Sequence, residues 1–399
     1  MNIIIVSNYY PPELGAAANR ICNLAEGLVR EGNNVSVVCP LPNYPTGKIF
    51  KEYQGRFYCH EKMSPNLEVH RYWIYPSVSK NPFMRAISML SFAVALWLFI
   101  RSYKAIHKAD WVIIQNSPLL VSYSSIILFG KLFAKKIALN ISDLWPLSAL
   151  ELGAINRGRL YSILEYIELF NHKNSNLIIG QSQEILDHAR GLVTKKSILY
   201  RNIQPRLNVV SDTRAPLAGP KKIIYAGLLG VAQGVLGIVQ QIDFSKYGIE
   251  FHIYGDGNEM VLIQKFIDDH PNRGVKFFGA ISKKELDECI GTYHASIVPL
   301  VREIKGAVPS KIFELADKGV PIIFSGGGEG ARLVEQYGLG FTVPPGDHSS
   351  LQKMIEHFSK LPDAQVELIR NKCKSASETH FNFDDQLSGL IDVLESYKD

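Results

Sequence analysis

The chain has 399 residues, enough for two domains, and its 46% hydrophobic and 20% charged content describe an ordinary globular protein with ample core. Its net charge of +5 is mild, and its basic residues alternate with long apolar runs instead of exposed aromatics, which argues against a nucleic-acid partner. Five scattered cysteines (Cys22, Cys39, Cys59, Cys289, Cys373) without a C-x-x-C argue against a disulfide framework or a zinc site and fit a reducing cytoplasm, and the start MNIIIVSNYYPPE lacks the basic region of a signal peptide.

In chain order, Asn2–Ser7 is a continuous apolar run and reads as a buried parallel strand. A Pro/Gly/Ala loop follows, then an amphipathic helix over Asn19–Glu31 with Ile21, Leu24, Ala25 and Leu28 on one face, and a strand at Asn34–Cys39. Further strands are expected at Leu67–Trp73, Trp111–Gln115, Lys136–Ile141 and Leu177–Gly180, with helices near Phe83–His107, Pro118–Phe133, Arg157–Lys173 and Ser182–Arg190. The polar, proline-bearing stretch 204–221 reads as a linker. The strand–helix rhythm then restarts, with strands at Lys222–Ala226, Glu250–Tyr254, Val275–Phe278, Ala295–Pro299, Val320–Phe324 and Gly340–Val343. The domains expected are therefore 1–203, 222–380 and a closing helix in 381–399, two Rossmann-like α/β sheets in all.

Four loops carry chemistry. Tyr9–Gly15, YYPPELG, joins the first strand to the first helix, where backbone N–H groups can face an anion; with only Gly15 in the loop there is no dinucleotide fingerprint. Asn140–Pro146, NISDLWP, puts Asp143 at the carboxyl end of a strand, either to accept a bond from a sugar hydroxyl or to cap a helix. Tyr225–Gly237, YAGLLGVAQGVLG, and Ser325–Ala331, SGGGEGA, are glycine loops entering helices. In Ala307–Pro321, AVPSKIFELADKGVP, Lys311 and Glu314 share one helix face, so the cation can meet a diphosphate while the carboxylate accepts ribose hydroxyls. The histidines His60, His70, His107 and His172 lack metal-ligand spacing and read as structural; there is no D-x-D, and no metal is expected.

The P-S-K-x-x-E-x-x-x-x-G-x-P pattern from Pro309 to Pro321 resembles the donor-site helix of family 4 retaining glycosyltransferases, above all the bacterial O-antigen and capsule subgroup that includes N-acetylfucosamine transferases. The Y-x-P-P-E-x-G-A, D-L-W-P and Y-x-G-x-x-G-x-x-Q-G runs resemble the same subgroup. That resemblance implies a GT-B fold, two Rossmann-like doubly wound domains facing across a cleft. It implies donor binding by Gly15, Gly227, Gly230, Gln233, Ser310, Lys311, Glu314, Gly327 and Gly328, acceptor binding by Glu13 and Asp143, and catalytic roles for Asp143 and Lys311. Two departures stand out. Leu228 and Gln233 replace the Arg and Lys that many members carry for the diphosphate, and Gly306 replaces the first glutamate of the E-x7-E pair, with Glu303 close but out of register.

The expected reaction is retaining transfer of a hexosyl or N-acetyl-deoxyhexosaminyl group from a UDP-sugar to an undecaprenyl-diphosphate-linked saccharide. Phe83–Ile100 has no charge from Ala86 to Ile100, too short for a spanning helix, and is flanked by Lys80, Arg85, Arg101 and Lys104. Between Lys80 and Lys136 eight Lys/Arg face one acid, Asp110. This half is expected to meet an anionic membrane peripherally, at the cytoplasmic face, with a buried core helix as the competing reading. A nucleotide-sugar epimerase and a non-catalytic membrane-associated scaffold are the functional alternatives.

Overall fold

The computed structural model describes residues 1–77, 82–99, 105–206 and 219–397. The flanking cations Lys80, Arg101 and Lys104 and most of the linker expected at 204–221 lie outside the described residues. The chain divides into two compact units, Met1–Pro205 with Phe383–Asp399, and Arg206–Asn382.

The first unit runs β1 (Asn2–Val6), α1 (Ala16–Arg30), β2 (Asn34–Pro40), β3 (Tyr58–Ser64), β4 (Leu67–Tyr72), α2 (Pro82–Phe99), α3 (Ala105–Lys108), β5 (Trp111–Gln115), α4 (Leu119–Ser125), β6 (Lys136–Ile141), α5 (Leu147–Glu151), α6 (Arg159–Lys173), β7 (Leu177–Gly180), α7 (Gln183–Leu192) and β8 (Lys196–Leu199). Its described residues form an eight-stranded sheet in the order β3-β4-β2-β1-β5-β6-β7-β8, parallel except for β3. The central strands are buried on both faces, which is why Ile3–Val6 and Trp111–Ile114 carry unbroken apolar side chains. Of the helix expected at Phe83–His107, the described residues carry α2 and α3, and residues 100–104 lie outside the described residues; α4 passes into a π-helical turn over Ile126–Leu132.

The second unit runs β9 (Lys221–Ala226), α8 (Val235–Gln241), β10 (Ile249–Tyr254), α9 (Met260–Asp269), β11 (Val275–Phe277), α10 (Lys283–Cys289), β12 (Ala295–Pro299), α11 (Lys311–Asp317), β13 (Ile322–Ser325), α12 (Gly328–Gln336), β14 (Gly340–Val343), α13 (His348–Ser359) and α14 (Asp363–Thr379). Its described strands form a six-stranded, wholly parallel sheet, β11-β10-β9-β12-β13-β14. Ser282 and Glu285 close a capping box on α10, fixing its start after β11.

The final helix, α15 (Phe383–Glu395), belongs to the first unit. Trp111 Nε1 donates to the Leu394 carbonyl at 3.1 Å, Tyr397 donates to the Asn176 carbonyl at 3.0 Å, and Arg30 pairs with Asp384. Gly27 of α1 admits this contact, since a Cβ there would lie 2.8 Å from Leu387 Cδ2 and 3.1 Å from the Phe383 ring. Sequence reading did not anticipate β3, β8, α13 or α14. The mostly polar run YCHEKMS of β3 has no apolar alternation because an edge strand buries little.

Candidate active site

In both sheets the carboxyl ends of the parallel strands carry the glycine loops, the position at which open α/β sheets bind ligands. Each unit builds its own cluster there.

In the first unit the loop after β1 delivers Gly15 as the N-terminal flank of α1, at φ +136°, with no side-chain cap on the helix. A Cβ on Gly15 would come no nearer than 3.9 Å to Tyr44, so its surroundings are open. Glu13, by contrast, is 2% exposed, and its Oε1 accepts the backbone N–H groups of Asn43 (2.7 Å) and Tyr44 (2.9 Å). Burial raises its pKa, and those two N–H bonds oppose the rise. Arg71, itself buried, donates to the Pro11 carbonyl and to Glu61 (3.0 Å), so the loop is braced from β4 as well. Glu13 is thus engaged inside the unit, tying the first loop to residues 43–44.

Asp143 follows β6. It does not cap α5, whose N-cap is Pro146. Its Oδ1 is buried without a hydrogen-bond partner. Burial pushes its carboxyl up to about 6, against the opposing pull of the Arg20 guanidinium and a hydrogen bond from Ser117. Arg20 is a residue that motif reading missed. It lies on the buried face of α1 and donates to Gln115 and Gln181, both at 2.8 Å. Gln115 in turn donates to Ser142 Oγ at 2.8 Å, and Gln181 to the Ser142 carbonyl. The loop carrying Asp143 is therefore fixed to α1, β5 and β7 through a buried cation. An arginine in register with Leu24 and Gly27 on an apolar helix stripe was the available signal.

In the second unit the loops after β9, β12 and β13 converge. Lys311 opens α11, and its Cε would lie 3.0 Å from a Cβ on Gly227, so the lysine stem rests on that glycine. Lys311 forms no ion pair among the described residues. Ser310 does not cap the helix with its side chain; its hydroxyl instead donates to Glu314 Oε1 at 3.2 Å, orienting the carboxylate one turn along. A Cβ on Gly230 would meet Gln233 Oε1 at 3.1 Å, and that oxygen is buried without a partner, so the glutamine folds back over its own loop. Leu228 is exposed. Gly327 and Gly328 begin α12, and a Cβ on Gly327 would collide with Glu303 Oε2 at 2.1 Å. The carboxylate out of register in sequence therefore lies directly over this glycine turn. The sites expected at Gly227 and Lys311, Gly230 and Gln233, and Ser310 and Glu314 form these three contacts; Gly15, Glu13 and Asp143 belong to the first unit.

Residues 220–360 match the family model described as Glycosyl transferases group 1. The chain is 24% identical over 382 residues to the putative colanic acid biosynthesis glycosyl transferase WcaI of Escherichia coli K12, covering 91% of this chain and 93% of that protein. Among solved structures it resembles sucrose-phosphate synthase from Thermosynechococcus elongatus (TM-score 0.74, 15% identity, 99% and 98% of the two chains). It also resembles Anabaena HepE in complex with UDP and glucose (TM-score 0.66, 12% identity, 99% and 100%). The second unit carries a glycosyltransferase group 1 domain, the fold is that of GT-B glycosyltransferases, and the chain is an enzyme of the glycosyltransferase class.

Proposed function

We propose that this glycosyltransferase is a family 4 enzyme of the O-antigen and capsule subgroup. It would move a hexosyl or N-acetyl-deoxyhexosaminyl group from a UDP-sugar to an undecaprenyl-diphosphate-linked saccharide during assembly of bacterial surface polysaccharide. The observation that carries this reading is Lys311, a cation without an ion pair among the described residues, laid over Gly227 with Glu314 one turn away. A UDP leaving group gains negative charge as the anomeric C–O bond breaks, so Lys311 stabilises the transition state more than the ground state. Glu314, oriented by Ser310, accepts the ribose hydroxyls. Gly230, Gly327 and Gly328 let backbone N–H groups approach the diphosphate and sugar. Glu303, three residues before Gly306 in the chain, supplies a carboxylate over Gly327. Asp143, at the carboxyl end of β6, accepts a sugar hydroxyl, as the resemblance implies. In the retaining step the acceptor oxygen attacks from the leaving-group face, and its proton passes to the departing phosphate.

The relation to a colanic acid transferase supports the polysaccharide assignment, and the HepE complex supports UDP. The lipid-linked acceptor is supported by α2, whose Leu90, Val94 and Trp97 form an exposed apolar stripe at helical spacing. No helix among the described residues is long and apolar enough to cross a membrane. A peripheral position on the inner membrane face accommodates both a soluble donor and a lipid acceptor.

Titration of the full-length chain with UDP, GDP and ADP, read by thermal shift and calorimetry, tests the donor site. UDP is expected to stabilise the protein, and Lys311→Ala to weaken that binding while lowering turnover more. Absence of stabilisation by any nucleoside diphosphate or its hexosamine derivative overturns the reading.

A further inference from the structure

The antiparallel pairing of β3 with β4 places His60 directly opposite His70 and Lys62 opposite Glu68. Glu68 and His70 are two apart on one strand and share a face, and His60 lies on the neighbouring strand of the same face. One ligand atom from each of the three lies within 4.8 Å of the others. His60 Nε2 is 2.9 Å from Glu68 Oε2, and His70 Nε2 is 3.8 Å from Glu68 Oε1. Each oxygen of the one carboxylate thus faces a different imidazole, and the three ligand groups lie close enough to share one ion with bonds near roughly 2.1 Å. We propose that His60, Glu68 and His70 form a transition-metal site on this edge of the sheet, with Zn²⁺ as its ion.

Three further features fit. The Tyr58 hydroxyl is 2.8 Å from His70 Nδ1; with Nδ1–H donating to that oxygen, Nε2 keeps its lone pair for the metal. Ser36 Oγ donates to Glu68 Oε1 at 3.2 Å, fixing the carboxylate from β2. Lys62, although opposite Glu68 in register, makes no ion pair with it among the described residues, so the carboxylate is directed at the two imidazoles. Two imidazoles and one carboxylate favour Zn²⁺ over Mg²⁺ or Ca²⁺, which take oxygen ligands. His70 is buried and His60 exposed, so an ion can enter from solvent and keep water in its fourth position. The two rings stack with centroids 4.6 Å apart, so taking up the ion requires the exposed His60 ring to turn while Tyr58 holds His70. The metal clips β3 to β4, and its role is independent of the glycosyl-transfer reading.

The test uses the untagged full-length chain, stripped with chelator and titrated with ZnCl₂ by calorimetry, with MgCl₂ as control. The expected result is one equivalent bound with a Kd below about 10 µM, a rise in Tm with Zn²⁺ alone, and a visible tetrahedral spectrum with Co²⁺. His60→Gln, at an exposed edge position, and Glu68→Gln should each weaken Zn²⁺ at least tenfold while the metal-free Tm of His60→Gln stays at the wild-type value. Absence of saturable binding up to about 100 µM Zn²⁺, or binding unaltered in His60→Gln, overturns the proposal.

Discussion

At Asp143 stability and function pull apart. Its buried carboxyl has a folded pKa raised from 3.8 to about 6, so the native state prefers the protonated form. The stabilisation is complete below the unfolded value and is lost as pH rises through 6, leaving an ionised carboxylate that costs roughly 2–3 kcal/mol at neutral pH. Asp143→Asn is therefore expected to be the more stable protein at pH 8, by about that amount, and to lose the advantage near pH 4. Transfer activity should fall in the same variant. Denaturant unfolding at the two pH values checks the first part, and an Asn variant no more stable than wild type at pH 8 contradicts it. Glu314 behaves differently. Ser310 donates to it, and an amide oxygen accepts that bond equally well, so Glu314→Gln keeps this contact and its main expected loss is in ligand binding, with Tm close to wild type. Losing the charge on paired ribose bonds removes about 1.5–3 kcal/mol, or roughly ten- to hundredfold in UDP affinity. Calorimetry that gave wild-type UDP affinity would remove α11 from the donor site. Glu13, expected near the acceptor, holds the first loop in place through Oε1, which accepts two backbone N–H groups.

Among the helices, α2 combines the two roles that its composition left open. Phe92, Ala95 and Leu96 pack into the core with Tyr72, Ile74 and Ile114, and Leu96 is 1% exposed. On the other side Leu90 and Val94 are 48% and 56% exposed. A helix apolar all round is ordinarily buried throughout; this one is not. Leu96→Ser should cost about 2–5 kcal/mol and destabilise the first unit. The double variant Leu90→Ser, Val94→Ser should keep its Tm within about a degree, because exposed substitutions change stability by less than about 0.5 kcal/mol. It should sediment less with anionic vesicles and lose activity on long-chain acceptors. A folded double variant that sediments like wild type would assign the stripe no membrane role.

At the scale of the molecule, each unit owns its core. The second gathers Ile223, Phe251, Ile297 and Phe358 without residues from the first. Residues 206–382 expressed alone should unfold in one cooperative transition and retain UDP binding, whereas residues 1–205, lacking α15, should be markedly destabilised. Loss of cooperative unfolding in 206–382 would show that its core is not self-sufficient.

What the sequence by itself determined follows from local physics. Continuous apolar runs marked the parallel strands, and glycine after a strand followed by a helical period marked the loops at Gly15, Gly227 and Gly327. A lysine and a glutamate three apart marked the face of α11. The edge strand β3 and the cluster of His60, Glu68 and His70 were illegible, because hydrogen-bond register between strands is set by neighbours, not by spacing along the chain. The same holds for Glu303 over Gly327 and for Arg20 behind Asp143, which come together only when loops from different strands meet. Only the tertiary structure decided which carboxylate was spent on backbone N–H groups and which kept a free oxygen, since desolvation depends on everything packed around a group.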